Sequence, residues 1–214
     1  MKVVEIFNSI EGEGKRAGLP ATFIRLYGCN LRCSYCDTMY AVEGAEYIEM
    51  SVQEIVDELE EIGCPNITVT GGEPLLQKNI IELFEALCHR GYWINVETNG
   101  SIKPNFRYID DRLFYTVDYK TISSGVSGAM KMEVFDLITD VDVVKFVVGS
   151  EEDLNQALDF YKKLLSEPAI YVSPVFGSIE PEKIVKFILL HNLWNWKVQL
   201  QLHKYIWSPD KKGV

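Results

Sequence analysis

The sequence predicts an α/β protein folded as a partial, open (β/α)6-type barrel. Short apolar runs alternate along the chain with longer segments whose apolar residues recur at spacings of three and four. This alternation predicts a mainly parallel sheet with helices outside it. A complete eight-unit barrel takes roughly 250 residues. Because the chain has 214 residues, we expect about six strand units in one domain that spans residues 1–214.

The predicted strands and helices follow one another in chain order. The strands are residues 2–7, 22–27, 67–70, 92–97, 113–118, 143–148, 170–173 and 198–202. The helices are residues 52–62, 80–90, 151–165 and 181–192. Ser51 and Glu54 form a capping box at the start of the first helix, and Gly63 and Gly91 favour the ends of the first two. Pro181 suits the first turn of the last helix.

The composition limits the classes of function. The formal net charge is −10 at pH 7, whereas a protein that follows phosphates needs a basic surface, so we expect no nucleic-acid partner. The sequence contains no run of eighteen apolar residues, the length that would predict a membrane span. Residues 1–7 lack the apolar core of a signal peptide. With five cysteines and no export signal, we expect a cytoplasmic protein with reduced thiols.

Three cysteines, Cys29, Cys33 and Cys36, lie within eight residues of one another. A cubane iron–sulfur cluster normally takes four cysteines, so this C-x3-C-x2-C spacing can hold three irons and leave the fourth open to a substrate or cofactor. Zinc is an alternative, but it usually recruits two pairs of ligands, and Cys64 and Cys88 stand alone. A disulfide needs an oxidising compartment, and a thioredoxin-type pair leaves one cysteine unexplained. We therefore expect an iron–sulfur cluster.

Polar or glycine-rich motifs follow several of the predicted strands. Residues 71–74 (Gly-Gly-Glu-Pro), 97–100 (Glu-Thr-Asn-Gly) and 118–120 (Asp-Tyr-Lys) each come at the end of a strand, and Gln201 and His203 lie at the end of the last one. In parallel sheets, ligands bind at the carboxyl ends of the strands. We therefore expect these residues to gather with the cysteine segment on one rim.

Each of these motifs also has a simpler interpretation. Gly71 and Gly72 allow the backbone to approach a ligand closely, or they form an ordinary tight turn. Glu73, Glu97 and Asn99 offer polar groups to a ligand, yet Asn-Gly is also a strong turn dipeptide. If the strand that includes residues 198–202 continues, Gln201 and His203 lie at alternate positions, so their side chains face the same way. They can then contact a polar heterocycle.

Charged and hydroxyl residues near the first two strands also need partners. Residues 8–14 carry two glycines interleaved with two glutamates, which suits either ligand contact or a flexible turn. Arg25 lies within an apolar strand, where a buried guanidinium requires a partner. That partner is either the carboxylate of a ligand or an internal salt bridge. Thr38 offers a hydroxyl oxygen of the kind that Mg2+ accepts, or it makes a local turn hydrogen bond.

Together these residues resemble the radical S-adenosylmethionine superfamily. Its cluster loop is C-x3-C-x2-C with an aromatic residue before the third cysteine, here Tyr35, and residues 71–74 resemble its second motif, which holds the amino group of S-adenosylmethionine. Within the superfamily, the chain resembles the 7-carboxy-7-deazaguanine synthase family in residues 9–14, Arg25, residues 36–38 and residues 201–207. It departs at Glu11, where the family often has Gln, and at residues 118–120, where Ser-Pro-Lys is common.

The resemblance implies an activity. The reduced cluster gives one electron to S-adenosylmethionine bound to the open iron, which is cleaved to methionine and a 5′-deoxyadenosyl radical. The radical removes a hydrogen from C6 of 6-carboxy-5,6,7,8-tetrahydropterin. Ring contraction and loss of ammonia then give 7-carboxy-7-deazaguanine, a precursor of queuosine, and return of the hydrogen regenerates the cofactor. The resemblance also implies a homodimer, an external electron donor such as a flavodoxin, and no catalytic side chain.

The resemblance also implies a role for each candidate site residue. The three cysteines hold a 4Fe–4S cluster, and Thr38 binds Mg2+. The contacts of S-adenosylmethionine are Tyr35, Cys36, Asp37, Gly72, Glu73, Glu97, Asn99, Asp118, Tyr119 and Lys120. The contacts of the pterin are Ile10, Glu11, Gly12, Arg25, Thr70, Gln201 and His203. Two alternatives stay open: a glycyl-radical activating enzyme, and a non-catalytic zinc or electron-transfer module.

Overall fold

The structure is a computed structural model that describes residues 1–107, 111–208 and 211–214. The strands in these ranges are β1 (Lys2–Ile10), β2 (Pro20–Leu26), β3 (Ile48–Glu49), β4 (Asn66–Gly71), β5 (Trp93–Thr98), β6 (Leu113–Tyr119), β7 (Val143–Val148), β8 (Ala169–Pro174) and β9 (Trp196–Val198). The α-helices are α1 (Met39–Val42), α2 (Val52–Ile62), α3 (Ile80–His89), α4 (Met132–Phe135), α5 (Glu151–Tyr161), α6 (Pro181–Leu190) and α7 (His203–Ile206).

The strands form one sheet in the order β3-β1-β2-β4-β5-β6-β7-β8-β9. β1 pairs antiparallel with both β2 and β3. Each neighbouring pair from β2 to β9 is parallel, and β3 and β9 are the two edges. The predicted open, mainly parallel sheet with intervening helices is therefore confirmed. None of the helices in the described residues is long and apolar enough to cross a bilayer.

The four predicted helices are present as α2, α3, α5 and α6, although α5 ends at Tyr161 and not at residue 165. The short helices α1, α4 and α7 were not predicted. The Ser51 side chain and Glu54 make the reciprocal hydrogen bonds of a capping box at the start of α2, and Gly63 ends the helix in the left-handed conformation at φ 73°. One face of α2 is buried at helical spacing, by Val52, Ile55, Val56 and Leu59. α5 begins with a second capping box, from Ser150 and Asp153. The apolar faces of the helices thus cover one side of the sheet.

The two faces of the parallel sheet differ in chemistry. Residues such as Val69, Val96 and Phe146 face the helices and belong to one buried apolar core. The alternate residues are buried too, but many are polar: Thr68, Thr70, Asn95, Thr116 and Lys145. Because successive side chains in a strand point to opposite faces, these polar residues share the face opposite the helices.

The predicted last strand is wrong in its position. β9 ends at Val198, and the chain then leaves the sheet. The backbone N–H of Leu202 donates to Gly12 O at 3.0 Å, and the Gln199 side chain accepts from Gly14 N at 2.6 Å. Gln199 and Leu202 therefore bind the loop after β1, and His203 begins the short helix α7 instead of continuing a strand.

Candidate active site

A cavity of about 670 Å3 lies on the polar face, at the carboxyl ends of the parallel strands. The three cysteines line it, together with nearly all of the other predicted site residues: Ile10, Glu11, Gly12, Arg25, Tyr35, Asp37, Thr38, Thr70, Gly72, Glu97, Asn99, Asp118, Lys120, Gln201 and His203. The strand alternation brings these residues together, since Arg25, Thr70, Glu97 and Asp118 all project from the inner face. The Glu73 and Tyr119 side chains are placed elsewhere.

The cysteine loop follows β2 and is held by neighbouring loops. The Ser34 hydroxyl donates to Ser123 O at 2.5 Å, and the Ser34 N–H donates to Ser124 O at 2.9 Å. The Tyr35 hydroxyl donates to Val147 O at 3.3 Å. The aromatic residue of the motif thus reaches across the cavity wall to β7, and it fixes the loop between its second and third cysteines.

The three thiols suit a cluster with one open iron. All three are free and partly buried, and burial raises the pKa of the Cys33 and Cys36 thiols, while the charge of Lys120 acts in the opposite direction. Three free thiols beside an open cavity, with the largely buried cation of Lys120 nearby, match the chemistry of a cluster ligand set.

Gly71 and Gly72 lie where the end of β4 meets the start of the cysteine loop. Gly72 N donates to Leu26 O at 2.9 Å, and Glu73 N donates to Gly28 O at 2.8 Å. A Cβ atom on Gly72 would lie 2.1 Å from Gly28 O, and one on Gly71 would lie 2.1 Å from Leu26 O. Gly71 also has φ 139°. The close approach is therefore to the protein's own backbone, next to the cavity.

Glu73 supports the site from behind the cavity wall. Its carboxylate is fully buried and accepts hydrogen bonds from Thr98 Oγ1 at 2.8 Å, Asn99 N at 2.7 Å and Leu75 N at 3.0 Å. Burial raises the pKa of Glu73, although these donors oppose the shift. The Tyr119 ring lies in the core, against Phe135 and other aromatic rings. The side chains of Glu73 and Tyr119 were predicted to contact the cofactor, but neither lines the cavity.

Arg25 makes the internal salt bridge that the sequence left open, and it also lines the cavity. Its Nε atom is 2.7 Å from Glu5 Oε1, and the Tyr40 hydroxyl donates to the same oxygen at 2.8 Å. The guanidinium lies over the Phe7 ring at 5.4 Å. The hydrogen bond of this ion pair comes from Nε, while the guanidinium carries four further N–H donors on its two Nη atoms.

Glu11 is neutralised by a residue that the sequence analysis did not select. Arg16 Nη2 lies 2.7 Å from Glu11 Oε1, and the Thr68 hydroxyl also donates to this carboxylate. Arg16 donates further to the carbonyl oxygens of Trp93 and Ile67, each at 2.9 Å. Burial and the nearby charge of Glu97 raise the pKa of Glu11, while Arg16 lowers it. Glu11 is thus tied to the amino ends of β4 and β5.

Glu13 and Lys145 form a second ion pair that the sequence analysis missed. Lys145 Nζ lies 2.9 Å from Glu13 Oε2, and Glu13 also accepts from Ser173 Oγ at 2.7 Å and Gln201 Nε2 at 3.2 Å. Burial disfavours both charges, but the partner outweighs it, so the pKa of Glu13 is lowered and that of Lys145 is raised. The sequence feature that could have identified Lys145 is its position as a single lysine within the otherwise apolar strand Val143–Val148.

The remaining charged residues form short pairs around the opening. Lys120 Nζ is 2.8 Å from Asp118 Oδ2, while Asp118 Oδ1 is buried without a hydrogen-bond partner among the described residues. Lys204 pairs with Asp37 at 3.2 Å, and the Thr38 hydroxyl donates to the same aspartate at 2.8 Å. The local turn hydrogen bond of Thr38 is therefore present.

Two features of the C-terminal segment complete the wall. Residues 211–214 line the cavity, and Lys212 Nζ lies 4.5 Å from the centre of the Tyr40 ring. His203, at the start of α7, lies against Gly12, and burial lowers its pKa. Lys211 and Lys212 were not among the predicted site residues, because basic residues near a terminus carry no pattern that marks a cavity wall.

Two comparisons with known proteins show which class of protein the chain resembles, that of radical S-adenosylmethionine proteins. Residues 23–119 match the family model described as the Radical SAM superfamily, and the fold is similar to the crystal structure of QueE from Escherichia coli, with a TM-score of 0.76 and 21% identity over 93% of this chain and 92% of that chain.

Two full-length relatives define the family. The chain is 44% identical to the 7-carboxy-7-deazaguanine synthase of Clostridium acetobutylicum, over 100% of this chain and 99% of the relative. It is 38% identical to the enzyme of the same name from Chlorobaculum tepidum, over 100% and 97%. The chain therefore belongs to the 7-carboxy-7-deazaguanine synthase family.

Gly72→Ala is expected to disturb the cysteine loop, because its Cβ would clash with Gly28 O. We expect the free energy of unfolding to fall by about 1–3 kcal/mol, the usual effect of overpacking, and less iron to be bound after reconstitution. Gly128→Ala is the matched control, since a Cβ there meets nothing within 4 Å. Urea unfolding and iron analysis test this. Equal values for the two variants would contradict the role of the close approach.

Lys145→Met is expected to leave the Glu13 carboxylate largely buried and without its cation. Breaking a buried ion pair in this way costs about 3–5 kcal/mol of unfolding free energy, which urea titration at neutral pH can measure. The matched control is Lys183→Met, whose pair with Glu151 is exposed and contributes about 0–1 kcal/mol. Similar small losses in both variants would show that Glu13 does not depend on Lys145.

Proposed function

We propose that this protein converts 6-carboxy-5,6,7,8-tetrahydropterin to 7-carboxy-7-deazaguanine with loss of ammonia, as a radical S-adenosylmethionine enzyme of 7-deazapurine and queuosine biosynthesis. The observation that carries the proposal is the meeting of three free thiols with Arg25, Glu13 and His203 around one cavity, in a chain that matches named synthases over its full length. These relatives favour the synthase over the glycyl-radical activating alternative.

The cysteines Cys29, Cys33 and Cys36 would hold the 4Fe–4S cluster. When bound, the cluster and S-adenosylmethionine supply the one-electron cleavage that starts the radical chemistry. The protein's part is to place these groups beside the substrate and to exclude water. The cysteine loop is suited to this, because Ser34 and Tyr35 hold it to the adjacent strand ends.

The cofactor's polar groups would lie along the wall that continues from the cysteines. Tyr35, Cys36, Asp37, Gly72, Glu97, Asn99, Asp118 and Lys120 remain candidates for these contacts, with Glu73 and Tyr119 acting through their neighbours or backbone. Asp118 Oδ1 is the best placed acceptor, since it is buried without a hydrogen-bond partner among the described residues and an isolated buried carboxylate oxygen calls for a donor. A hydroxyl or ammonium group would satisfy it.

The pterin would occupy the part of the cavity bounded by the loop after β1. Ile10, Glu11, Gly12, Arg25, Thr70, Gln201 and His203 are the candidate contacts, and Arg25 would bind the substrate carboxylate. Burial lowers the pKa of His203 and so favours the neutral ring, which can both donate and accept a hydrogen bond. Glu13, held ionised by Lys145, adds a fixed acceptor for the amino groups of a pterin.

Thr38 would supply a hydroxyl oxygen to Mg2+, with the substrate and water providing other oxygen ligands. Its position on the cavity wall supports this. We further infer that residues 1–214 act as one domain, since one sheet runs through the chain. The family resemblance supports a cytoplasmic homodimer that takes its electron from an external donor such as a flavodoxin.

The proposed reaction is tested by anaerobic reconstitution with iron and sulfide, followed by incubation with S-adenosylmethionine, reductant, Mg2+ and the carboxypterin. We expect a deazaguanine product, detected by mass spectrometry, that requires every component. Cys33→Ala is expected to remove the product, because it deletes one cluster ligand. Cleavage of S-adenosylmethionine without any pterin product would contradict the proposed substrate and retain the class.

Arg25→Met is expected to weaken binding of the substrate carboxylate. Loss of a charged hydrogen bond is worth about 1.5–3 kcal/mol, so the KM for the pterin is expected to rise about tenfold or more. Cleavage of S-adenosylmethionine should continue, since Arg25 lies on the substrate side. Arg90→Met, which removes an exposed pair with Glu60, serves as the control. A fall in cofactor cleavage equal to the loss of pterin turnover would assign Arg25 to the cluster or cofactor instead.

A further inference from the structure

Asn99 lies just after the end of β5, beside the first cysteine of the loop. It is buried, with 8% of its surface exposed. Its amide nitrogen Nδ2 is 3.5 Å from Cys29 Sγ and 3.1 Å from Asn30 Oδ1. The backbone N–H of Asn99 donates to the buried Glu73 carboxylate at 2.7 Å. Asn99 is therefore held against the cysteine loop from behind.

The orientation of the Asn99 amide is fixed by its neighbours. Oδ1 accepts from the backbone N–H of Ser101 at 3.0 Å and from the Ser101 hydroxyl at 2.6 Å. A backbone N–H is always a donor, so the atom that faces it must be the amide oxygen, and the atom that faces Cys29 must be the nitrogen. Because Nδ2 carries two hydrogens, it can serve Asn30 and the Cys29 sulfur at the same time.

Hydrogen bonds to the ligand sulfurs are one of the factors that set the potential of an iron–sulfur cluster. A donor stabilises the reduced form more, because that form carries more negative charge. We propose that Asn99 is a positioning residue which, through Cys29, raises the potential at which the cluster accepts its electron. The inference rests on the proposed function, since it requires a cluster on the three cysteines. It gives the Asn99 amide a role apart from contact with S-adenosylmethionine.

The test is the midpoint potential of reconstituted Asn99→Ala, measured by EPR-monitored redox titration without S-adenosylmethionine or pterin. We expect the equilibrium constant for one-electron reduction to be about tenfold smaller than in the wild type, a shift of about 59 mV to lower potential. A residue that only shaped the cavity would leave this potential unchanged.

Ser101→Ala is the matched control. It removes the hydroxyl that binds Asn99 Oδ1 but keeps the backbone N–H of Ser101 and the whole Asn99 amide, so its potential should match that of the wild type. A drop equal to that of Asn99→Ala would overturn the proposal, because general loosening of the turn would then explain both results.

Asn99→Ser is the second test variant. Its side chain is polar and uncharged but too short to reach Cys29, so the same drop is expected. An unchanged potential in either Asn99 variant would overturn the proposal. Failure of both variants to take up the wild-type amounts of iron and sulfide would overturn it too, because a hydrogen bond that only tunes a potential is not needed for assembly.

The potential does not depend on pterin turnover, so the two proposals fail separately. A wild-type protein that shows the Asn99-dependent potential but makes no deazaguanine would contradict the proposed substrate and support the role of Asn99. A wild-type protein that makes the product, with a potential indifferent to Asn99, would contradict the role of Asn99 alone.

Discussion

The pairing of charges on the inner face of an open barrel is the constraint on which the rest of the site depends. The sheet register sets Glu5 opposite Arg25 and Asp118 opposite Lys145, all on the face away from the helices. Charges taken out of water are costly unless they are paired. Because Arg25, Lys145 and Lys120 each contact a carboxylate, the cavity can be both strongly polar and preorganised. Fixed charges of this kind need no rearrangement when a substrate binds.

The glycine pair and the cysteine loop act as one structural unit. Gly72 packs against the backbone of Gly28 with no space for a side chain. The end of β4 therefore constrains the position of the start of the cysteine loop. Glu73 then continues the connection, because its carboxylate binds the backbone of Asn99 at the end of the next strand. Three motifs that are distant in sequence are thus joined by short hydrogen bonds to the backbone. Gly72 and Glu73 therefore help to fix the position of the cysteine loop.

The sequence predicted most of the fold because local signals agreed with the tertiary structure. The capping box at Ser51 and the apolar spacing of α2 are properties of neighbouring residues, and the structure has both. The segment after β9 could not be predicted in the same way. Residues 198–202 have an acceptable strand composition, but the backbone N–H of Leu202 donates to Gly12, almost two hundred residues earlier. Only the tertiary fold brings that partner near.

The charged site residues differ in how clearly the sequence marks them. Arg25 could be found because an arginine within an apolar strand is conspicuous, and Lys145 carried the same signal within β7. Arg16 had no such signal, since it lies in a polar loop and becomes partly buried only when that loop packs against the amino ends of β4 and β5.

Arg16 explains how the structure accommodates Glu11, a position at which the chain departs from the family pattern. A carboxylate in place of an amide adds a charge at a position that is 1% exposed, and such a charge requires a cation. Arg16 supplies it at 2.7 Å, and its Nη atoms also bind the carbonyl oxygens of Trp93 and Ile67. The extra charge is therefore compensated inside the protein, five residues along the same loop. The adjoining Gly12 stays in place, because its carbonyl holds Leu202 and its Cα faces His203. Glu11, which the sequence suggested as an altered ligand contact, forms an ion pair with Arg16 in the structure.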